Sequence, residues 1–421
     1  MVKDRSVAPA RVLGWGSVIA TCIFVISFLD RVTYPHLFAG CIVLAGIAYL
    51  RTLWLLGRVA EESARALALC LVLAALWRIP LLVMPPTLST DVYRYVWDGR
   101  VQRLGYSPYL LVPSNSALRH LHTAETLRMN FPDLPTPYPP AAELFFRAVM
   151  TLDDSARALK SAIVLCDAAI VAVLLYWLAG SRRSPWWVLA YAWNPLVALE
   201  GAGNGHVDLV GALCLVVSAA SLTRGRRTVA AVAFALALGV KFLPVTLAPL
   251  LWRRFRSRDA ALCVGTFAAL YIPFLSQGRL PLGSLGVYLA NWRVNAPVYS
   301  ALERIIPSAG LVALPAVCGF AVALWARWHL SLDSPEAWAW PAATTLLFAP
   351  SVFPWYLLWV TPFLFTPRTL PLAVWTVSSL TLYWWLPVWA KIVVEYVPVL
   401  CVAGWMLAQS LEARQAMSSA A

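Results

Sequence analysis

Charged residues are scarce in this 421-residue chain, at 13% of all positions, whereas 61% of positions are hydrophobic. No soluble globular chain of this length shows that balance. The sequence also lacks a soluble domain, a long linker and a low-complexity tract, so we expect a single membrane domain over residues 1–421. Internal duplication of the kind seen in inverted-repeat transporters is absent too. The chain is therefore predicted to be an all-α polytopic membrane protein.

Paired metal-binding motifs are also lacking. The eight cysteines occur singly in apolar runs, and none belongs to a CxxC motif or a Cys/His pair. Cysteines in such positions are usually small buried residues rather than metal ligands or members of disulfides. We expect no metal site and no cofactor.

The net charge of +13 would suit a nucleic-acid partner, but its distribution does not. Lysine and arginine fall in short clusters between apolar runs, as the positive-inside rule predicts for cytoplasmic loops. We therefore expect no nucleic acid, a multi-pass protein of the cell membrane, and both termini in the cytoplasm. The first apolar run lacks a small-residue cleavage site, which favours a retained span over a signal peptide.

Apolar runs of about 20 residues, long enough to cross a bilayer, follow one another along the chain. They are 12–29, 37–56, 66–84, 158–179, 207–222, 260–275, 309–326, 370–386 and 392–407. Two further runs, 186–199 and 338–365, are shorter or broken, the second at Pro350 and Pro354. We expect about 12 to 14 spanning or half-spanning helices, three of them within 12–84 and the rest within 158–407.

Segment 228–251 breaks the charge alternation, because arginines flank it on both sides and Lys241 to Pro244 divide it. It is either one span that violates the rule or a re-entrant hairpin with Lys241 and Pro244 at its tip. Irregular backbone at membrane depth is tolerated only beside protein or a water-filled cavity. We favour the hairpin.

The most polar stretch is 85–154, which concentrates acids, bases, tyrosines and prolines and is placed outside the membrane by the charge rule. Asp91, Arg94 and Asp98 are spaced i, i+3 and i+7, so they share one face if this stretch is helical. A charged outer loop on an apolar chain is where we expect the chemistry. The other segments placed outside are 200–206, 276–300, 354–356 and 388–396.

Two short amphipathic helices are predicted in this loop. Ser89 or Thr90 would cap the first helix, and Gly99 or Gly105 would end it. The prolines of TPYPP predict a stiff elbow around Tyr138 before the second helix. Tyr138 is interpreted mainly as structural, with a hydroxyl contact to substrate as the lesser alternative.

Ionisable groups at the membrane edge cost a few kcal/mol each and therefore point to function. Besides the loop residues, the polar candidates for a site on the outer side are Glu200, Asn204, His206, Asp208, Lys241, Trp292 and Asn295. Trp97 and Trp292 lie in polar loops, which makes them the candidate sugar platforms among tryptophans that otherwise serve as interfacial anchors.

Glycosyl transfer from a lipid-phosphate sugar needs a carboxylate that takes the acceptor proton and cations that hold the leaving phosphate. Asp91 is the candidate base, although a helix N-terminal acid is its simpler alternative. Asp98 is a second candidate base, but the i+4 spacing favours pairing with Arg94. Arg94, Arg100 or Lys241 would hold the phosphate, unless Lys241 merely reaches the interface.

Three further polar residues follow each other closely near the start of one apolar run. Glu200, His206 and Asp208 would orient the acceptor or tune the base, although a polar pair closing a helix end is an equal alternative for His206 and Asp208.

Six segments occur in an order that resembles a known family. They are TDVYRYVWDGRVQRLGYSPY, TPYPPAAELFF, WNPLVALEGAGNGHVD, KFLPV, YLANWRVNAPVY and FPWYLLWVTPF. The set is similar to the polyprenol-phosphate-mannose-dependent mannosyltransferases of the multi-spanning C-type (GT-C) glycosyltransferase superfamily. The resemblance extends from about residue 80 to residue 365.

This resemblance implies a GT-C-like bundle and an inverting, metal-independent transfer at the extracytoplasmic face. The implied partners are a polyprenyl-phosphate sugar donor, a glycan or glycolipid acceptor and membrane lipids, with mannose as the expected sugar. By position, Asp91 matches the family's acidic base, and His206, Asp208 and Lys241 match further polar sites. A transporter or flippase of lipid-linked sugars is the alternative function.

Overall fold

In a computed structural model, the structure describes residues 8–59, 63–275 and 280–419. Within these ranges the secondary structure is helical apart from isolated β-bridge residues, among them the pair Val294 and Ser351. The α-helices are α1 Pro9–Phe28, α2 Pro35–Leu56, α3 Ala64–Val83, α4 Asp91–Arg103, α5 Pro140–Leu152, α6 Ala156–Gly180, α7 Leu189–Ala192, α8 Pro195–Val197, α9 Asp208–Thr223, α10 Arg227–Val240, α11 Ser257–Tyr271, α12 Leu285–Asn291, α13 Pro297–Leu302, α14 Ser308–Leu311, α15 Leu314–His329, α16 Glu336–Leu347, α17 Leu370–Ser378 and α18 Val388–Ser419.

Tighter and wider turns join these helices. The 3₁₀ segments are Ser116–Leu121, Thr126–Arg128, Pro185–Val188, Leu243–Leu251, Ile272–Phe274, Pro354–Trp359, Thr361–Phe363, Pro367–Thr369 and Ser379–Tyr383, and Ala198–Gly203 is a π-helix. The basic residues Lys3 and Arg5, and residues 276–279 of the expected outer segment, lie outside the described residues.

Five helices of the described part are long and apolar enough to cross a membrane, namely α1, α2, α3, α6 and the first 25 residues of α18. Each coincides with an expected span to within a few residues. The prediction of an all-α membrane protein is therefore confirmed.

The other expected spans are shorter or interrupted helices. Helices α9 and α10 are apolar but have 16 and 14 residues. Segment 338–365 breaks after α16 and continues as 3₁₀ turns from Pro354, as the prolines indicated. The total of 12 to 14 stays a prediction.

Segment 228–251 is interrupted at the predicted place. Helix α10 ends at Val240, and Lys241 has an extended backbone (φ −153°, ψ 152°). Residues 225–229, before and at the start of the segment, and Arg256 and Arg258, after its end, line one hollow of about 410 Å³. Because both ends meet there, the segment turns back on itself as a hairpin.

Helix α4 starts at Asp91 as predicted, with the Ser89 hydroxyl accepting the backbone N–H of Asp91 at 3.2 Å. It ends just before Gly105, whose φ of +85° suits glycine. The alternative end at Gly99 was wrong. A Cβ at Gly99 would lie 2.6 Å from the backbone oxygen of Phe146, so glycine there lets α4 and α5 pack closely.

A buried ion pair that the sequence analysis did not anticipate joins two of the long helices. Arg78 of α3 pairs with Asp167 of α6, and the Tyr191 hydroxyl also donates to Asp167 at 2.7 Å. Arg78 further donates to the Ala192 carbonyl at 3.1 Å. Since each charge has several partners, this group connects α3, α6 and α7 and has a structural role.

Candidate active site

The start of α4 faces a cavity of about 950 Å³. Residues from the outer loop, from the hairpin tip and from the broken segment after α16 line it together, although they are far apart in sequence. Among the candidate site residues, the structure places Asp91, Arg94, Tyr138, Asp208, Lys241 and Trp292 on its wall.

Asp91 occupies the first turn of α4, where the helix dipole favours a negative charge. Its Oδ1 accepts a hydrogen bond from Asn130 Nδ2 at 2.8 Å, and its Oδ2 lies 3.9 Å from His206 Nδ1. The side chain stays 14% exposed. The carboxylate is therefore held from two sides and still open to the cavity.

His206 forms the layer behind Asp91 and is fully buried. Its ring stacks on Trp355 with centroids 4.2 Å apart, and its Nε2 lies 3.3 Å from Glu200 Oε2. Glu200 in turn accepts the Tyr383 hydroxyl at 2.6 Å. A row of four polar side chains thus runs from the cavity wall into the protein.

The π-helix explains how this row is built. Ala198–Gly203 has one extra residue per turn, a feature that often marks functional sites. Asn204 Nδ2 donates to Glu200 Oε2 at 3.0 Å, and Asn204 Oδ1 accepts the Leu88 N–H at 3.0 Å. Asn204 therefore links Glu200 to the stretch that leads into α4, and none of Glu200, Asn204 and His206 lines the cavity.

Asp208 and Lys241 form the second polar group of the wall. Lys241 Nζ donates to both Asp208 oxygens at 2.7 and 2.9 Å and lies 4.3 Å from the centre of the Tyr356 ring. Trp359 Nε1 also donates to Asp208, at 2.8 Å. The break after α10 is what brings Lys241 to the start of α9.

Two more of the candidate residues line the cavity beside Asp91. Arg94 pairs with Asp98 and donates to the Leu134 carbonyl at 2.9 Å, while its Nη2 has no hydrogen-bond partner among the described residues. Tyr138 sits in the proline elbow and donates its hydroxyl to Tyr95 at 3.3 Å. A buried guanidinium nitrogen without a partner is suited to an anionic ligand.

Several candidates are placed away from the cavity. Arg100 forms an ion pair with Asp154 at 2.9 Å and donates to a backbone carbonyl, so its charge is neutralised within the protein rather than by a ligand. Asn295 donates to Glu395 at 2.7 Å. Trp97 is buried against His122, which excludes it as a sugar platform.

Asp98 is also placed away from the cavity. Its carboxylate is fully buried and accepts both Arg94 Nε contacts, at 2.8 and 3.0 Å. The i+4 pairing that the spacing favoured is therefore present, and Asp98 has no access to a substrate in the cavity.

Other wall residues were missed by the sequence analysis, namely Arg31, Arg128, Asn130, Phe131, Tyr288 and Trp359. Arg31 and Arg128 form no salt bridge among the described residues. Arg31 lies in the short connection between α1 and α2, and arginine is unusual in a connection that the alternation of spans places outside, which is the signal that could have found it. Arg128 lies in segment 85–154, where arginine is common and gives no such signal.

A family model described as alpha-(1->6)-mannopyranosyltransferase, N-terminal domain, matches residues 8–254, which is more than half of the chain. Alpha-(1->6)-mannopyranosyltransferase A of Mycobacterium tuberculosis is 24% identical over 331 residues, covering 68% of this chain and 62% of the relative. A probable alpha-(1->6)-mannopyranosyltransferase of Mycolicibacterium smegmatis is 26% identical over 292 residues, covering 65% and 49%. No solved structure matches the chain.

The chain thus spans between about half and two thirds of the length of these two curated relatives. The matched residues include Asp91, Asn130, His206, Asp208 and Lys241, whereas Trp292 and Tyr356 lie beyond them. The resemblance to mannosyltransferases is confirmed, and the chain belongs to the alpha-(1->6)-mannopyranosyltransferase family.

Proposed function

We propose that the chain is an integral-membrane mannosyltransferase that uses a polyprenyl-phosphate donor and a glycan or glycolipid acceptor at the extracytoplasmic face. The observation that carries this proposal is the open carboxylate of Asp91 on a cavity wall that also presents Arg94 and Lys241. Family membership favours the enzyme over a transporter or flippase of lipid-linked sugars. The alpha-(1->6) linkage in the relatives' names is part of the proposal for this chain.

Asp91 is the general base of this reaction. An acceptor hydroxyl beside Asp91 gives its proton to the carboxylate while its oxygen forms a bond to the anomeric carbon of mannose. The bond from that carbon to the phosphate oxygen breaks, and the electron pair leaves with the polyprenyl phosphate. Attack from the side opposite the phosphate inverts the configuration of the sugar.

Cations on the wall stabilise the departing phosphate. Arg94 offers the Nη2 that lacks a partner among the described residues, and Arg31 and Arg128 offer guanidinium groups outside any described salt bridge. Lys241 contributes less net charge, because Asp208 already neutralises it at 2.7 Å. This assignment replaces Arg100 with Arg31 and Arg128.

The expected topology is compatible with this site. The arginines at both ends of the hairpin meet at one hollow, and its tip, Lys241, meets Asp208 at the cavity. Under the positive-inside rule the arginine end is cytoplasmic, so the cavity is extracytoplasmic and both termini are cytoplasmic. The short and broken helices then complete a GT-C-like bundle of about 12 to 14 full or partial spans.

The test is transfer by the purified protein from polyprenyl-phosphate mannose to an α-1,6-linked mannotriose. We expect wild-type protein to extend the oligosaccharide, and Asp91→Asn to reduce the rate by at least about 100-fold, the usual contribution of a general base. The anomeric configuration of the product, compared with that of the donor by NMR, reports inversion.

The matched control is Asp133→Asn, because Asp133 is an exposed acid of the same loop that does not line the cavity. It should transfer mannose at the wild-type rate. Full activity of Asp91→Asn would remove Asp91 from the mechanism, and no product from wild-type protein with this donor would contradict the proposed function.

A further inference from the structure

Phe131 lies on the cavity wall in a backbone conformation that its residue type disfavours. Its φ is +47°, a region that bulky side chains rarely occupy, and its side chain is 51% exposed. The strain is therefore not offset by burying the ring. Strained residues of this kind cluster at ligand sites, where surrounding contacts hold them in place.

Two backbone hydrogen bonds hold the chain at Phe131 in this conformation. Leu134 N donates to the Phe131 carbonyl at 3.2 Å, and Ser114 N donates to the Pro132 carbonyl at 3.0 Å. Because these two hydrogen bonds fix the backbone at and directly after Phe131, the Phe131 ring is held where it projects to the cavity.

The ring meets a second aromatic residue from a distant part of the chain. Phe131 packs edge-on against Trp292, with centroids 4.9 Å apart and planes at 73°. Trp292 follows the end of α12 and lies 5.4 Å from Tyr288, and all three rings line the cavity. The outer loop and the connection after α12 thus supply the two rings of an aromatic corner, Phe131 and Trp292.

This aromatic corner is tied directly to Asp91. Asn130, the residue before Phe131, donates its side-chain amide to Asp91 Oδ1 at 2.8 Å. Consecutive Cα atoms are about 3.8 Å apart, so the carboxylate contact and the ring are fixed by one short piece of chain. A ligand that rests on the ring is therefore placed beside the carboxylate.

We propose that Phe131 and Trp292 form a binding subsite for a pyranose ring of the acceptor glycan, next to the sugar whose hydroxyl reaches Asp91. The faces of aromatic rings carry partial negative charge and accept the C–H face of a sugar, while the sugar hydroxyls stay in water. This inference rests on the proposed function. It specifies an acceptor with at least two sugar units rather than a single sugar.

The aromatic corner serves the acceptor rather than the donor because of where it sits. The polyprenyl chain of the donor is apolar and needs a path among the membrane helices rather than in water. Phe131 and Trp292 instead belong to the outer loop and to the connection after α12, both of which the charge rule places outside.

The experiment measures kcat and KM for donor and acceptor separately in Phe131→Ala, Phe131→Gly and Trp292→Ala, with polyprenyl-phosphate mannose and α-1,6-linked mannotriose. We expect the KM for mannotriose to rise about tenfold in each variant. The KM for the donor should be unchanged, and kcat at saturating acceptor should stay within about threefold of wild type.

Two comparisons isolate the role of the rings. Glycine accepts the positive φ without strain, whereas alanine does not. If Phe131 acted only through backbone shape, Phe131→Gly would behave as wild type and Phe131→Ala would lose kcat, which would overturn the proposal. Trp325→Ala is the control, because Trp325 is 52% exposed, stacks on His329 and does not line the cavity.

Direct binding of mannotriose by calorimetry separates this inference from the proposed function. Wild-type protein and Trp325→Ala should bind equally, and Trp292→Ala should bind about tenfold more weakly. Binding without transfer by wild-type protein would contradict the proposed function and leave the subsite standing. Equal binding by wild type and Trp292→Ala, or no binding by wild type, would overturn the subsite.

Discussion

Helix α4 carries two aspartates, seven residues apart, whose surroundings are opposite. Asp91, at the start of the helix, meets Asn130 and His206 and faces the cavity. Asp98, two turns later, is fully buried against α5 and pairs with Arg94. One helix thus has a cavity end and a packed end.

The packed end is completed by a second acid. Glu143 of α5 is also buried, shares a hydrogen bond with Asp98, and accepts from Thr136 at 2.6 Å and from Gln102 at 2.7 Å. These partners leave no room for substrate. Burial and partners, rather than the residue type, thus separate the cavity carboxylate, which is the candidate base, from a structural one.

The largest expected effect is on the stability of the protein, and it comes from a substitution at the packed end of α4. Asp98→Asn leaves the Arg94 guanidinium buried without its carboxylate, which typically costs about 3–5 kcal/mol. We expect the free energy of unfolding to fall by that amount, measured by titration with a denaturing detergent in mixed micelles. Asp91→Asn, in contrast, should change it by less than about 1 kcal/mol.

The pair of variants is its own control, since both exchange an aspartate of α4 for its amide. If Asp98→Asn unfolded like wild type while Asp91→Asn lost several kcal/mol, the assignment of the two ends would be reversed. Similar stability losses in both variants would remove the distinction altogether.

A smaller effect is expected behind the cavity end, at Glu200. Glu200→Gln places an amide where the carboxylate receives the Tyr383 hydroxyl and faces His206. His206 would then lose its support beside Asp91, and a misplaced catalytic group costs about 100-fold in rate. We expect kcat to fall by that factor with both KM values unchanged, in the mannotriose assay.

Tyr383→Phe tests the same row with its charge intact. It removes one hydrogen bond to Glu200 and should lower kcat less than tenfold. If Glu200→Gln lost thermal stability in proportion to its lost activity, the row would be only structural. A rise in either KM with unchanged kcat would assign Glu200 to substrate binding instead.

Local features of α4 and the hairpin were predictable from sequence, because they depend on near neighbours. The start of α4 follows from Ser89 and the prolines before it, and the Arg94–Asp98 pair follows from i+4 spacing. Lys241 was placed at a break because proline and charge interrupt an apolar run. Each of these signals lies within a few residues of its effect.

Asn130 and Tyr383, which complete the surroundings of the candidate base and of Glu200, could not be predicted in this way. Asn130 is 39 residues from Asp91, and Tyr383 is 183 residues from Glu200, so no spacing rule connects them. The misplacement of Arg100 has the same cause, since Asp154 neutralises it from 54 residues away. Only the packing of separate helices decides which charges remain available at the cavity.

The smallest expected effect is on the pH dependence of the stability that the packed end contributes. Burial raises the pKa of Glu143 well above its usual range, and the neighbouring Asp98 carboxylate raises it further. In the window above the usual glutamate range, the folded chain keeps a proton there that the unfolded chain has lost. The stabilisation is therefore complete at low pH and is lost as pH rises through the raised pKa. Melting temperatures should therefore fall more steeply between pH 5 and pH 8 for wild type than for Glu143→Gln, because the glutamine amide can donate to Asp98 at every pH. Equal slopes would show that Glu143 is not the group that retains the proton.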